Sequence, residues 1–245
     1  PFVTLINGYM RSSRDFNLLQ KKIVEKKMRV LLIDNRGTGK SSVSVSFTLE
    51  DLATDILEIW QEAAIEKSFV VGISMGGLVA QILYRLASEK FLGLSLVSTT
   101  DDPKNISSPR KNMATQKEDI LKDLSLYVSK KFYQKNKLLL QAMAKELTRQ
   151  FESVESQQVS LWQSEAIASF KSVLKTLAPD SCPVQLIHGS EDQIISLAGT
   201  LKMKKHFKNL KYEVFEGKGH LLLAEDFLGL CESLFRFWQQ KELEA

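Results

Sequence analysis

Three residues in this chain have the types and settings that acyl-transfer chemistry needs. The segment Phe69-Val70-Val71-Gly72-Ile73-Ser74-Met75-Gly76-Gly77-Leu78-Val79-Ala80 runs an apolar strand into Gly72-x-Ser74-x-Gly76 and directly on into a helix. A serine at so sharp a strand-to-helix turn carries its hydroxyl above the sheet edge, at the positive end of the helix. The flanking glycines leave room for a strained backbone and for close helix–strand approach. A plain tight turn with Ser74 as helix cap is the bland alternative. The strand before it and the helix after it favour the nucleophile.

A serine hydroxyl attacks poorly unless a neighbouring base takes its proton. The chain has three histidines. His206 lies among lysines on a helical pattern and reads as a surface residue. His188 closes the apolar run Val184-Gln185-Leu186-Ile187-His188-Gly189 and reads as a packed, hydrogen-bonded strand end. His220 sits in Glu216-Gly217-Lys218-Gly219-His220, a glycine-rich loop between a strand and the last helix. Loops on a rigid scaffold are where reactive side chains are placed, and His220 is the expected base.

The imidazole needs a carboxylate to fix its tautomer and to stabilise its charged form. Asp192, in Gly189-Ser190-Glu191-Asp192, follows the 184–188 strand and is the expected acid. Glu191 is its neighbouring competitor, and Asp101 and Asp102 are remote ones. A turn aspartate bonded only to its own backbone would be the bland reading.

The elements that must position these residues follow from the hydrophobic pattern. Strands are expected at 2–6, 28–33, 68–73, 91–98, 184–188 and 211–215, as apolar runs without polar alternation, the mark of parallel strands buried on both faces. Helices are expected over 13–27, from a capping box at Thr48 and Asp51, and over 75–88, 196–207 and 225–240. The fold class is therefore α/β, a mostly parallel sheet with helices on both faces. Residues 101–182 break the alternation. They open on a polar stretch from Asp101 to Arg110, show apolar spacing of helical period through Ile120, Leu139, Phe170, Val173 and Leu177, contain no expected strand, and close at Pro179 and Pro183.

Four ordered motifs make the chain resemble the α/β-hydrolase superfamily of esterase- and lipase-like serine hydrolases over nearly its whole length. They are the elbow at Ser74, Asp34-Asn35-Arg36-Gly37-Thr38-Gly39-Lys40-Ser41, Ile187-His188-Gly189-Ser190-Glu191-Asp192 and Gly217-Lys218-Gly219-His220. The order Ser74, Asp192, His220 is the superfamily's nucleophile–acid–base order. The resemblance implies a hydrolase core over 1–100 and 183–245, with 101–182 as a helical cap or lid. It also implies backbone oxyanion donors at Tyr9 and Met75, in a loop where Asn7 stands for the family's usual histidine. No counterpart appears of the β-hairpin that usually precedes the first strand. The chain begins at Pro1, so either an initiator methionine was removed or a preceding segment is absent.

Composition narrows the rest. In 245 residues, 44% are hydrophobic and 25% charged, as expected of an ordered domain with a large core. The net charge of +4 is dispersed on helix faces, so no nucleic-acid patch is expected. No apolar run reaches the length of a membrane span, and the N-terminus lacks a signal-peptide pattern. Cys182 and Cys231 form no metal or redox motif and suit free thiols in a cytoplasmic protein. Gly39-Lys40-Ser41 imitates the end of a phosphate-binding loop, but the pattern requires glycine where Asp34 stands. No cofactor or metal is expected, and oligomeric state is left open. The expected activity is hydrolysis of a small or medium carboxylic ester, thioester or lactone. Alternatives are C–C hydrolysis or acyl transfer by the same residues, a non-catalytic ligand binder, and a protein that binds partners through lysine-rich helices. Phe132, Tyr133, Trp162 and Phe170 are candidate pocket liners, although an aromatic stripe at helical spacing more often belongs to a core than to a substrate wall.

Overall fold

The apolar runs assemble into one parallel sheet. The computed structural model describes residues 1–107, 117–174 and 182–242. Its strands are β1 (Phe2–Ile6), β2 (Arg29–Leu32), β3 (Ser68–Ile73), β4 (Phe91–Val97), β5 (Val184–Gly189) and β6 (Leu210–Phe215), in the order β2-β1-β3-β4-β5-β6. Successive side chains point to opposite faces. Val70, Leu94, Leu96 and Leu186 accordingly join one core, while Val3, Leu5, Val71 and Ile187 join the other.

The first core is closed by α2 (Leu49–Glu62), α3 (Met75–Ala87) and the segment around α8 (Leu197–Lys202), through Leu52, Ile56, Trp60, Leu78 and Met203. The second is closed by α1 (Asn17–Glu25) and α10 (Phe227–Glu242), through Leu19, Ile23, Leu230 and Leu234. Removing a buried side chain the size of Trp60 costs about 3–5 kcal/mol, so each face is a large share of the net stability. Helix α2 begins with the expected capping box, Thr48 and Asp51 satisfying each other's backbone N–H groups.

The strand order reverses direction between β1 and β3, which are neighbours although β2 lies between them in sequence. Such a switch point leaves a crevice beyond the strands' carboxyl ends, and ligands of open α/β sheets bind there. The chain after β1 (Asn7–Met10) and after β3 (Ser74) opens into this crevice.

Between β4 and β5 lie α4 (Lys117–Tyr127), α5 (Lys130–Lys135), α6 (Lys137–Phe151) and α7 (Val154–Ser169). Ile120, Leu124, Val128, Leu140 and Ala144 form a small core of their own. The described part of 101–182 contains no strand, only the antiparallel bridge Ile106–Ile195. The helical spacing read through Phe170 and Val173 does not give helix. Helix α7 ends at Ser169, and both residues instead enter the sheet's first core from irregular chain. Arg110, Leu177 and Pro179 lie outside the described residues.

Candidate active site

Ser74 occupies the sharp turn between β3 and α3 with φ 56° and ψ −120°, a conformation that costs of order 1–3 kcal/mol for a residue with a side chain. The surroundings hold it there. Its N–H donates to the Val97 carbonyl at 2.9 Å, and its carbonyl accepts from the Gly77 N–H at 2.9 Å and from Thr99 Oγ1 at 2.8 Å. A methyl group on Gly76 would collide with the carbonyls of Ile6 and Asn7, so only glycine lets α3 start this close to β1.

His220 reaches Ser74 from the loop after β6, its Nε2 lying 3.0 Å from Ser74 Oγ. Its Nδ1 lies 2.8 Å from Asp192 Oδ2, and both side chains are buried. The other Asp192 oxygen accepts from the N–H groups of Ile194 and Ile195 at 2.8 and 2.9 Å. Burial by itself would push the Asp192 carboxyl up. The His220 ring, with help from His188 and the Ile195 N–H, outweighs it and holds Asp192 below the usual carboxylate range. An ionised Asp192 can only accept, so Nδ1 of His220 carries the proton. Nε2 of the neutral ring is then the lone pair offered to the Ser74 hydroxyl.

The loops bearing Asp192 and His220 are laced together. Glu191 N–H donates to the Lys218 carbonyl at 2.8 Å and Gly217 N–H to Ser190 Oγ at 2.8 Å. Glu225 adds a brace from α9 (Leu222–Glu225), its Oε1 accepting from Gly219 N–H at 2.8 Å and Ser129 N–H at 3.0 Å. Tyr127 lies edge-on to the His220 ring at 5.6 Å.

The rival carboxylates lie elsewhere. Glu191 accepts from the Lys130 N–H at 3.3 Å. Asp101 accepts from Ser172 Oγ at 3.0 Å, and Asp102 caps Lys104 N–H at 3.0 Å. His206 is half-buried rather than exposed, 3.7 Å from Asp101. His188 is the packed strand end expected, with Nε2 2.9 Å from the Ile195 carbonyl. It also lies 3.3 Å from Asp192 Oδ2, a contact its place at a strand end did not suggest.

The loop after β1 passes beside the serine, so that a methyl on Gly8 would lie 3.3 Å from Ser74 Cβ. Asn7 accepts the Gly8 N–H on Oδ1 at 2.9 Å and donates through Nδ2 to the Ser12 carbonyl. Met75 begins α3, where a helix leaves its first N–H groups without intrahelical partners.

Ser74 and His220 border a cavity of about 300 Å³ walled mainly by aliphatic side chains, among them Ile120, Leu124, Met143, Leu147 and Ile195. Its aromatic walls are Tyr9, Tyr127 and Phe151. The aromatics anticipated from sequence are not among them. Phe132 and Tyr133 pack on the small core of α4 and α6, Trp162 stands against Phe47, and Phe170 is in the sheet core. The loop that imitates a phosphate-binding motif folds around Asp34, which accepts from Ser13 N–H and Lys40 N–H. Among the described residues there is no group of three or more metal-ligating side chains, and no helix long and apolar enough to cross a membrane.

Comparison with known proteins accords with this architecture. The family described as the alpha/beta hydrolase fold matches residues 1–227. The chain belongs to that family. Among curated relatives, the 3-oxoadipate enol-lactonase 1 of Acinetobacter baylyi is 27% identical over 203 residues, 80% of this chain and 74% of the relative. Among solved α/β-hydrolase-like structures, the enol-lactonase from Burkholderia xenovorans superposes with a TM-score of 0.80 at 20% identity, covering 98% of this chain and 91% of that one. The esterase from Exiguobacterium antarcticum superposes with a TM-score of 0.78 at 18% identity, over 97% and 91% of the two chains.

Proposed function

We propose that this chain is a serine hydrolase that cleaves a small or medium carboxylic ester, or a thioester or lactone, through an acyl-enzyme on Ser74. The observation that carries the reading is the hydrogen-bonded series Ser74 Oγ, His220, Asp192, opening on a largely apolar cavity. The names of the relatives, an enol-lactonase and an esterase, lend it support.

In this mechanism His220 Nε2 takes the Ser74 proton as Oγ bonds to the acyl carbon, and the carbonyl electron pair moves onto oxygen. The backbone N–H groups of Tyr9 and Met75 hold that oxyanion. Collapse expels the alcohol or thiol, which leaves with the proton from Nε2. In a lactone the leaving oxygen stays tethered to the acyl chain. Water, deprotonated by His220, then attacks the acyl-Ser74 carbonyl, and the acid departs as Ser74 recovers its proton. Asp192 keeps the ring in the required tautomer and stabilises the imidazolium. Written this way, the reaction calls for no cofactor or metal.

Residues 101–182 act as a cap in this reading, since α4, α6 and α7 contribute Leu124, Leu147 and Ile167 to the cavity beside Ser74. The buried free thiols Cys182 and Cys231 suit a cytoplasmic protein. The test is a panel of acyl p-nitrophenyl esters and acyl-CoA thioesters run beside Ser74→Ala, with fluorophosphonate labelling mapped by peptide mass spectrometry. Turnover lost in Ser74→Ala and a single adduct on Ser74 are expected. Labelling elsewhere, or none on folded protein, would sink the reading.

A further inference from the structure

The loop after β1 is tied to two helices that lie about 140 to 155 residues further along the chain. Met10 N–H donates to Gln163 Oε1 on α7 at 2.8 Å, and the Met10 carbonyl accepts from Gln150 Nε2 on α6 at 2.9 Å. The Tyr9 hydroxyl lies 2.7 Å from Ser160 Oγ and accepts from Ser164 Oγ at 3.1 Å, both on α7. Met10 itself has φ 53°, the left-handed region that a side-chain-bearing residue leaves unless its surroundings hold it. Here both of its backbone polar groups are held by glutamines, one from each helix.

Gln163 is fully buried, and among the described residues its Nε2 has no hydrogen-bond partner. An unpaired buried amide lowers stability, so Gln163 is a poor choice if its task were only to glue α7 to the core. What it supplies, among the described residues, is the acceptor for Met10 N–H. The peptide between Gly8 and Tyr9 is then clamped on both sides. Asn7 takes the Gly8 N–H, and the helices take Tyr9 Oη and both polar groups of Met10.

We propose that Gln163 is a positioning residue for the oxyanion hole, holding Met10 in its left-handed turn so that the Tyr9 N–H faces the acyl oxygen at Ser74. This rests on the serine-hydrolase reading above. Oxyanion stabilisation is then complete only while α6 and α7 are seated on the β1 loop. The helical segment would contribute to the chemical step as well as to the shape of the cavity.

The test uses the full chain and the p-nitrophenyl ester that wild type cleaves fastest. Gln163→Met, which keeps the shape and removes the acceptor, should lower kcat about 10- to 100-fold with KM little changed. It should weaken phenylboronic acid, a mimic of the tetrahedral adduct, by a similar factor. Gln163→Glu, which keeps an acceptor, should restore most of the loss. In a Met10→Gly background, where the left-handed turn carries no penalty, Gln163→Met should cost much less. If Gln163→Met does not fold, Gln150→Met, on the half-buried outer tie, should show the same kcat and boronate signature in weaker form. Folded variants with wild-type kcat and boronate affinity would overturn the inference. So would a loss confined to KM, or one undiminished in the Met10→Gly background. With Ser74 labelled and Ser74→Ala inactive, those results refute the positioning role alone. Failure of the Ser74 controls refutes both readings.

Discussion

His188 places Nε2 3.3 Å from Asp192 Oδ2, the same oxygen that receives the His220 Nδ1–H. One carboxylate oxygen therefore faces two imidazoles, only one of which reaches Ser74. Nδ1 of His188 lies 3.1 Å from Thr200 Oγ1, whose hydroxyl donates to the Thr99 carbonyl at 2.5 Å.

Burial holds the His188 ring below the ordinary histidine value of 6.5, against the pull of Asp192 and the Ile195 carbonyl. The unfolded chain thus takes up this proton before the folded one does. Stability from His188 is fully present above pH 6.5 and is lost as the pH falls from there toward its folded value. Asp192, lowered from 3.8, adds a second decline below that pH. Melting temperature against pH should slope less in His188→Gln than in wild type between 6.5 and 3.8. Equal slopes would contradict the assignment.

Asp192→Asn should reduce kcat by about 10⁴-fold with the fold intact, because an amide no longer enforces the His220 tautomer. Glu191→Gln, at a side chain that accepts from the Lys130 N–H and not from His220, should stay within a few-fold of wild type. Steady-state kinetics with circular dichroism decide the matter, and a severe Glu191→Gln beside a mild Asp192→Asn would reverse it.

Glu225 Oε1 serves two backbone N–H groups, those of Gly219 and Ser129, while its Oε2 has no partner among the described residues. Glu225→Ala orphans both donors and should cost about 2–4 kcal/mol. Glu225→Gln keeps the accepting oxygen and should cost less than about 1 kcal/mol. Urea unfolding measures both, and similar losses would show that the acceptor is not what matters.

Leu147 of α6 borders the cavity. Leu147→Trp should fill part of it and shift the p-nitrophenyl ester preference toward shorter acyl chains, at about 1–3 kcal/mol in stability. Fluorophosphonate labelling of Ser74 should persist. An unchanged chain-length profile would mean that the acyl group does not enter this cavity.

The central strands were legible because parallel strands buried on both faces must be apolar throughout, as Val70, Val71, Leu94 and Leu96 are. The edge strands β2 and β6 are instead partly exposed, at Arg29, Lys211 and Tyr212. Ser74, Asp192 and His220 stood out because each follows a strand in a short, glycine-bearing loop. The ties to Met10 were not legible. Gln150 and Gln163 lie on helices where glutamine ordinarily marks the solvent side, and only the fold brings them to a residue 140 positions or more away. His188 was readable as a packed strand end, but its contact with Asp192 depends on how the loop between them curls back. Phe132, Tyr133, Trp162 and Phe170 show the reverse error. Aromatic character at helical spacing marks burial without saying which cavity, if any, the ring will face.

The pairing of Ile6 with Gly72 ends the β1–β3 ladder, and Gly8 and Ser74 each stand two residues past it, level with one another. Neighbouring strands stand about 4.8 Å apart whatever side chains they carry, and a slip of one residue would turn every side chain to the wrong face. The distance between the Ser74 hydroxyl and the β1 loop is therefore gauged by main-chain hydrogen bonds and is largely blind to the composition of the surrounding cores. A scaffold gauged in this way can exchange most of its residues without losing the alignment of its working parts. What such a scaffold has to keep is the phase of the ladder.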